Sequence, residues 1–202
     1  MQKPKKPPKT APKQARGEAR KRALIDAVIS VLAREGAAGV THRSVAEAAG
    51  AKHGSVRYYF ATREEMLTEA LNLIVLRQAD EIRELFEAHQ TDDDNVMISA
   101  LADKIQDRIK NHRDGEMARY ELFLTAARTG HFKETLEAWA QSYVETFITR
   151  ARSKGDPADP EAMQQLLNLL NGLILQQLAA PTEEFREGVL VPILRAHLLT
   201  DH

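Results

Sequence analysis

Apolar residues recur along most of this chain at three- and four-residue steps, the spacing that lines one face of a helix. Leu24, Ala27, Val28, Val31 and Leu32 form the first such stripe, and Gly36 and Gly39 are expected to end it. Thr41 is a good N-cap for a short second helix reaching about Ala49, after which Gly50 breaks the chain. A third short helix is expected from about Lys52 to Phe60. Thr62 with Glu65 has the form of a capping box. It opens a long fourth helix carrying Met66, Leu67, Ala70, Leu71, Ile74, Val75, Ile82, Leu85 and Phe86.

The pattern continues to the end. Asp92 to Asp94 supply an acidic start, suited to a helix N-terminus, for a fifth helix with Val96, Ile98, Leu101, Ile105 and Ile109. Gly115 is expected to separate it from a sixth helix over Glu116 to Arg128, and Gly130 that one from a seventh over Phe132 to about Lys154. Asp159 and Pro160 read as an N-cap followed by proline at the first helical position, opening an eighth helix to about Ala180. A ninth runs to Leu199, with Pro192 expected to kink it. No window alternates with a period of two, so the expected fold class is all-α with about nine helices.

Charge changes this picture. The net charge of −1 conceals two opposed parts. Residues 1–63 hold 14 Lys and Arg against 4 Asp and Glu, while residues 64–202 hold 14 against 25. A basic N-terminal third suggests a polyanion partner, either nucleic acid or an anionic membrane surface. Residues 1–16 hold four prolines and no apolar periodicity, so a disordered basic arm is expected there. That arm either adds phosphate contacts or is a solvated tail.

Composition also excludes. There is no cysteine, hence no disulfide, thiolate zinc site or thiol catalysis, which fits a reducing cytoplasm. No apolar run approaches the ~18 residues of a membrane helix, and the N-terminus lacks the apolar stretch of a signal peptide. No His-Glu-x-x-His, phosphate-cradling glycine loop or nucleophile elbow is present, and the seven histidines are scattered. Neither an enzyme nor a metal or cofactor site is expected.

Residues 41–60 read as helix, glycine-containing turn, helix, the sequence shape of a helix-turn-helix. Val45 and Ala49 should face inward with Val56 and Phe60. The second helix carries Lys52, His53, Ser55, Arg57, Tyr58 and Tyr59, donors suited to phosphates and base edges. The pattern alone is also compatible with a helix pair in an ordinary bundle.

Residues 20–67 resemble the DNA-binding region of the TetR (tetracycline-repressor) family of bacterial transcriptional regulators. The resemblance is carried by Thr41, Val45, Ala46, Ala49 and Gly50, then Gly54, Ser55, Val56, Tyr59 and Phe60, and then Thr62, Arg63, Glu64, Glu65 and Leu67. It implies a head over 17–63 and a helical effector-binding and dimerisation domain over 64–202. It further implies that Arg43, His53, Ser55 and Tyr58 reach base edges, and that Thr41, Lys52, Arg57, Tyr59 and Arg63 reach phosphates. Tyr59 has packing beside Phe60 as its alternative, and His42 reads as a solvated first-turn residue. Three positions depart from the family pattern: Ala51 stands where Val is frequent, Lys52 where a capping Ser is frequent, and Arg57 where Tyr is frequent. Lys cannot cap as Ser does, and Arg57 gains a stronger phosphate contact with reach to a guanine.

For the acidic remainder, the resemblance implies a homodimer and an effector pocket. The eighth helix is apolar nearly all round, so it must be covered on more than one side. Leu167, Leu170, Ile174, Phe185, Val189 and Ile193 are the expected pairing residues of the last two helices. Met97, Leu101, Ile105, Tyr120, Phe123, Trp139, Tyr143 and Phe147 are expected around a ligand, with Asn168 and Asn171 adding polar specificity. The same aromatic stripe also reads as plain core, and the two amides as surface or inter-helix groups. The implied partners are a double-stranded palindromic operator, a small-molecule effector and a second copy. The implied activity is repression relieved by the effector. The competing reading is a membrane-surface or structural helical protein that uses its basic arm as an anchor.

Overall fold

The computed structural model describes residues 13–90, 93–157 and 159–199; the N-terminal arm up to residue 12 lies outside them. Among the described residues the chain is helical, without strands. The elements are α1 (Lys13–Gly39), α2 (His42–Ala48), α3 (His53–Tyr59), α4 (Arg63–Ala88), α5 (Asp94–Asn111), α6 (Arg113–Thr129), α7 (Lys133–Lys154), α8 (Pro160–Ala179) and α9 (Val191–Leu198).

The caps follow the chemistry of their residues. Thr41 accepts from the Ser44 N–H while the Ser44 hydroxyl accepts from the Thr41 N–H, a reciprocal box. Thr62 accepts from Glu65 N–H, but Glu65 reaches back one residue further, to the Ala61 N–H at 2.6 Å. Asp159 caps α8 through the Glu161 N–H, with Pro160 in the first turn.

Four boundaries differ from expectation. Helix α1 begins at Lys13, before Gly17; Gly36 breaks its helical backbone at φ 68° and Gly39 ends it, as expected. Helix α6 begins at Arg113 because the break falls at His112, shared as the end of α5 and the start of α6; Gly115 is simply helical. Phe132 takes the left-handed conformation, φ 70°, before α7. The last expected helix is two pieces. Residues Phe185–Leu190 form a π-helical turn and α9 follows, with Pro192 in its first turn. Proline has no N–H to donate, so a change of helical register is tolerated there.

Two hydrophobic clusters organise the molecule. The first joins Leu24, Val28, Val31 and Leu32 of α1 to Val45, Val56 and Phe60, all fully buried. Each such side chain contributes roughly 1.5–3 kcal/mol by leaving water. The cluster also takes Met66 to Ile74 of α4 and Ala118 and Leu122 of α6. The second gathers Ile82 and Phe86 of α4 with α5, α7, α8 and α9. Helix α4 is therefore shared by both.

Candidate nucleic-acid interface and internal cavity

The helix pair α2–α3 is built around its turn. Gly50 adopts φ 56°, and the Ala51 N–H donates to the Ala46 carbonyl at 2.8 Å. A left-handed residue at this turn favours glycine. Val45, Val56 and Phe60 close the inner side. Helix α3 has no side-chain cap, as expected with Lys52 at its N-cap. His42 is not merely solvated: its Nε2 lies 2.9 Å from the Phe60 carbonyl oxygen and, facing an acceptor, must donate. It ties the start of α2 to the end of α3.

The outer side is polar and open. Arg43, Lys52, His53 and Arg57 are exposed, and Tyr58 is 82% exposed. Among the described residues no ion pair involves Arg43, Lys52 or Arg57. Thr41 is exposed with its hydroxyl engaged in the cap, and Ser55 is half-buried. Tyr59 is half-buried against the first cluster, its ring edge-on to Tyr58 at 5.1 Å. Arg63 is turned inward: its Nε donates to the Ala37 carbonyl at 3.2 Å, so this guanidinium already has a structural partner.

In the body, α4 to α8 enclose a cavity of about 40 Å³. Of the expected ligand residues, Leu101, Ile105, Trp139, Tyr143, Phe147 and Asn171 line it. Four others do not. Met97 faces a cleft toward α9. Phe123 and Asn168 line an outer groove. Tyr120 donates its hydroxyl to the Asn171 carbonyl at 2.6 Å. Three of the expected pairing residues, Leu167, Leu170 and Ile174, lie on the cavity wall, and Leu170 and Ile174 are buried within one chain. Phe185 is also buried. These inward positions follow from rotation of α8, which a helix apolar all round does not reveal. Val189 and Ile193 remain half-buried. The outward stripe of α8 is Gln165, Leu169, Gly172, Leu175 and Ala179, with Leu169 40% and Leu175 47% exposed.

The cavity also has a charged end that sequence reasoning missed. Arg119, 1% exposed, donates from Nε and a terminal nitrogen to Glu116, and from its other terminal nitrogen to Asn171 at 2.8 Å. Gln78 of α4 donates to the other oxygen of Glu116 at 2.9 Å. Arg108 lies 3.4 Å from that same oxygen. Burial works against the Glu116 carboxylate, yet Arg119, Arg108 and these bonds hold it below its ordinary value. Burial likewise opposes the charge on Arg108, but Tyr143 and Glu116 keep it positive. Tyr143 is pushed up, chiefly by burial, so it keeps its proton. A signal existed: Glu116, Arg119, Tyr120 and Phe123 fall on one helical face, which places two charges on an aromatic stripe.

Residues 24–70 match the family model described as bacterial regulatory proteins, tetR family, and residues 92–198 match the tetracyclin repressor-like C-terminal domain. The chain belongs to the TetR family. As a TetR-family transcriptional regulator it is a DNA-binding protein and not an enzyme. A curated relative, the HTH-type transcriptional regulator PksA of Bacillus subtilis, is 32% identical over 65 residues, a match spanning about a third of either chain (32% of each). A solved TetR-family member from Streptomyces coelicolor (SCO1917) is 27% identical with a TM-score of 0.68, over 86% of this chain and 97% of its own. The multidrug binding protein EbrR, solved in complex with ethidium, is 28% identical with a TM-score of 0.62, over 86% of this chain and 98% of its own. No helix among the described residues is long and apolar enough to cross a membrane.

Proposed function

We propose that this TetR-family regulator is a homodimeric repressor that reads a palindromic operator and is released when a small effector enters the body. One observation carries the reading. Helix α4 places Met66, Leu67 and Ala70 in the core of the helix-turn-helix and Gln78 and Ile82 on the cavity wall. Any ligand that moves Gln78 or Ile82 acts on the same rigid element that supports α3. The ligand would act by binding the two dispositions of α4 unequally. EbrR, solved in complex with ethidium, supports an effector role for the body.

In this reading the head spans 17–63 behind a basic N-terminal stretch, 1–16, whose last four residues already belong to α1, and the body spans 64–202, in the bacterial cytoplasm. Arg43, His53, Ser55 and Tyr58 reach base edges; Thr41, Lys52, Arg57 and Tyr59 reach phosphates, with Arg63 holding α1. Two copies pair through the outward stripe of α8, with Leu169 and Leu175 at its centre and Val189 and Ile193 beside it. Half-sites then lie about 34–36 Å apart or a multiple of that.

Gel shifts at a fixed salt concentration, with genomic and random fragments, test this together with sedimentation. A dimer mass and a palindromic site are expected, and Leu169→Glu with Leu175→Glu should give a monomer that loses the site. Equal affinity for random DNA, or binding to anionic vesicles instead of DNA, would refute it.

A further inference from the structure

Resting on the effector role of the cavity, we propose that its ligand is a small apolar monocarboxylic acid held by Arg108, Trp139 and Tyr143. The cavity wall contains two guanidinium groups, Arg108 and Arg119, and no carboxylate. The acid behind the wall, Glu116, is committed to Arg119 and Gln78. Arg108 has only long contacts: its buried Nε lies 3.4 Å from Glu116, shared with Arg119 and Gln78, without an aligned hydrogen bond, and its terminal nitrogen reaches Tyr143 at 3.4 Å. Glu81 of α4 also favours the charge on Arg108; its buried Oε2 makes no hydrogen bond and lies 3.8 Å from Lys104, which offsets its charge. The local balance is therefore one surplus positive charge. The indole Nε1 of Trp139, 5% exposed, is likewise buried without a partner.

Three residues with long or missing donor contacts thus line one cavity. Buried donors are normally satisfied, and a carboxylate accepts through two oxygens, including in the bidentate geometry that suits arginine. One surplus charge matches a monoanion; a dianion would stay unneutralised in a low-dielectric site. The remaining wall is apolar, with Ile82, Leu101, Ile105 and Leu166, which fits an apolar tail. About 40 Å³ holds the carboxylate and little more. The tail needs side-chain shifts, and the half-buried, flexible Met163 on the wall can supply them. A lipophilic cation meets two arginines with no carboxylate on the wall to offset them.

Trp139 is the single tryptophan, so its emission reports the site directly. The experiment titrates the full chain with 4-phenylbutyrate, 4-phenylbutyramide and 4-phenylbutylamine. The acid should bind at least tenfold more tightly than the amide, with the amine weakest. Arg108→Gln should erase that preference, Arg108→Lys should keep part of it, and Tyr143→Phe should reduce it. Thermal melts identify any variant that fails to fold, in which case Tyr143→Phe decides. Amide or amine binding as tight as the acid, or unchanged selectivity in the folded variants, overturns the proposal and leaves the effector reading standing. Binding of none of the three overturns both.

Discussion

Arg57 and Arg119 are the same residue put to opposite uses. Arg57 ends α3 in water, with no ion pair among the described residues. Arg119 is 1% exposed, with its guanidinium bonded to Glu116 and Asn171 and lying 4.3 Å from the Tyr120 ring centre. An exposed arginine keeps its hydration until a phosphate displaces it, so its charge is available to a partner. A buried arginine has lost its hydration and must be satisfied inside the fold. The head holds its charges for another molecule; the body spends most of its buried charges on itself. Arg108 stands between the two, buried yet incompletely bonded.

The contrast is sharpened most by breaking the buried pair. Glu116→Ala strands Arg119 and should cost about 3–5 kcal/mol in urea unfolding; a cost near zero would mean that Arg119 is not committed to its carboxylate. The same carboxylate predicts a pH dependence. It is held below the ordinary value of 4.5, so its contribution is complete above that value and is lost as pH falls through the lower folded value. Glu116→Gln should flatten that acid limb of the stability curve. In the head, Arg43→Ala should cost about 1–3 kcal/mol of discrimination between operator and mismatched sites, read by competition gel shifts. Arg57→Ala should weaken all DNA alike and lower the salt slope by about one, while stability moves within about 0.5 kcal/mol. Lys52→Ser moves stability the other way. It supplies the absent cap of α3 and should raise stability by about 1 kcal/mol, while removing one phosphate contact from the salt slope.

The head was legible because its decisive features are local. Thr41, Gly50 and Thr62 act on residues within a turn of themselves, so composition and spacing reveal them. The body was legible only in outline. Glu116 meets Gln78 and Arg119 meets Asn171 across 38 and 52 residues, and no local rule announces such pairs. Helix α8 hid its rotation, because Leu166, Leu167, Leu169, Leu170, Leu173, Ile174, Leu175 and Leu178 leave little of its circumference polar. Leu170 and Ile174 turned to the cavity, and Leu169 and Leu175 kept the outside. The π-helical register before Pro192 escaped for a related reason: proline marks where a helix is disturbed, not how it repairs itself.

The peptide of Ala37 is gripped from both sides. Its carbonyl accepts from Arg63 at the start of α4, and its N–H donates toward Glu121 of α6 at 3.4 Å. Gly36 beside it bends at positive φ, and a Cβ there would come within 3.2 Å of Glu121. Ala118 and Leu122 of α6 complete the same core. A chimera that grafts a foreign reading head by joining two chains after residue 63 would therefore inherit half of this bracket from each parent. A transplant that respects the bracket moves residues 24–74 as a block and matches positions 118, 121 and 122 of the recipient to the donor.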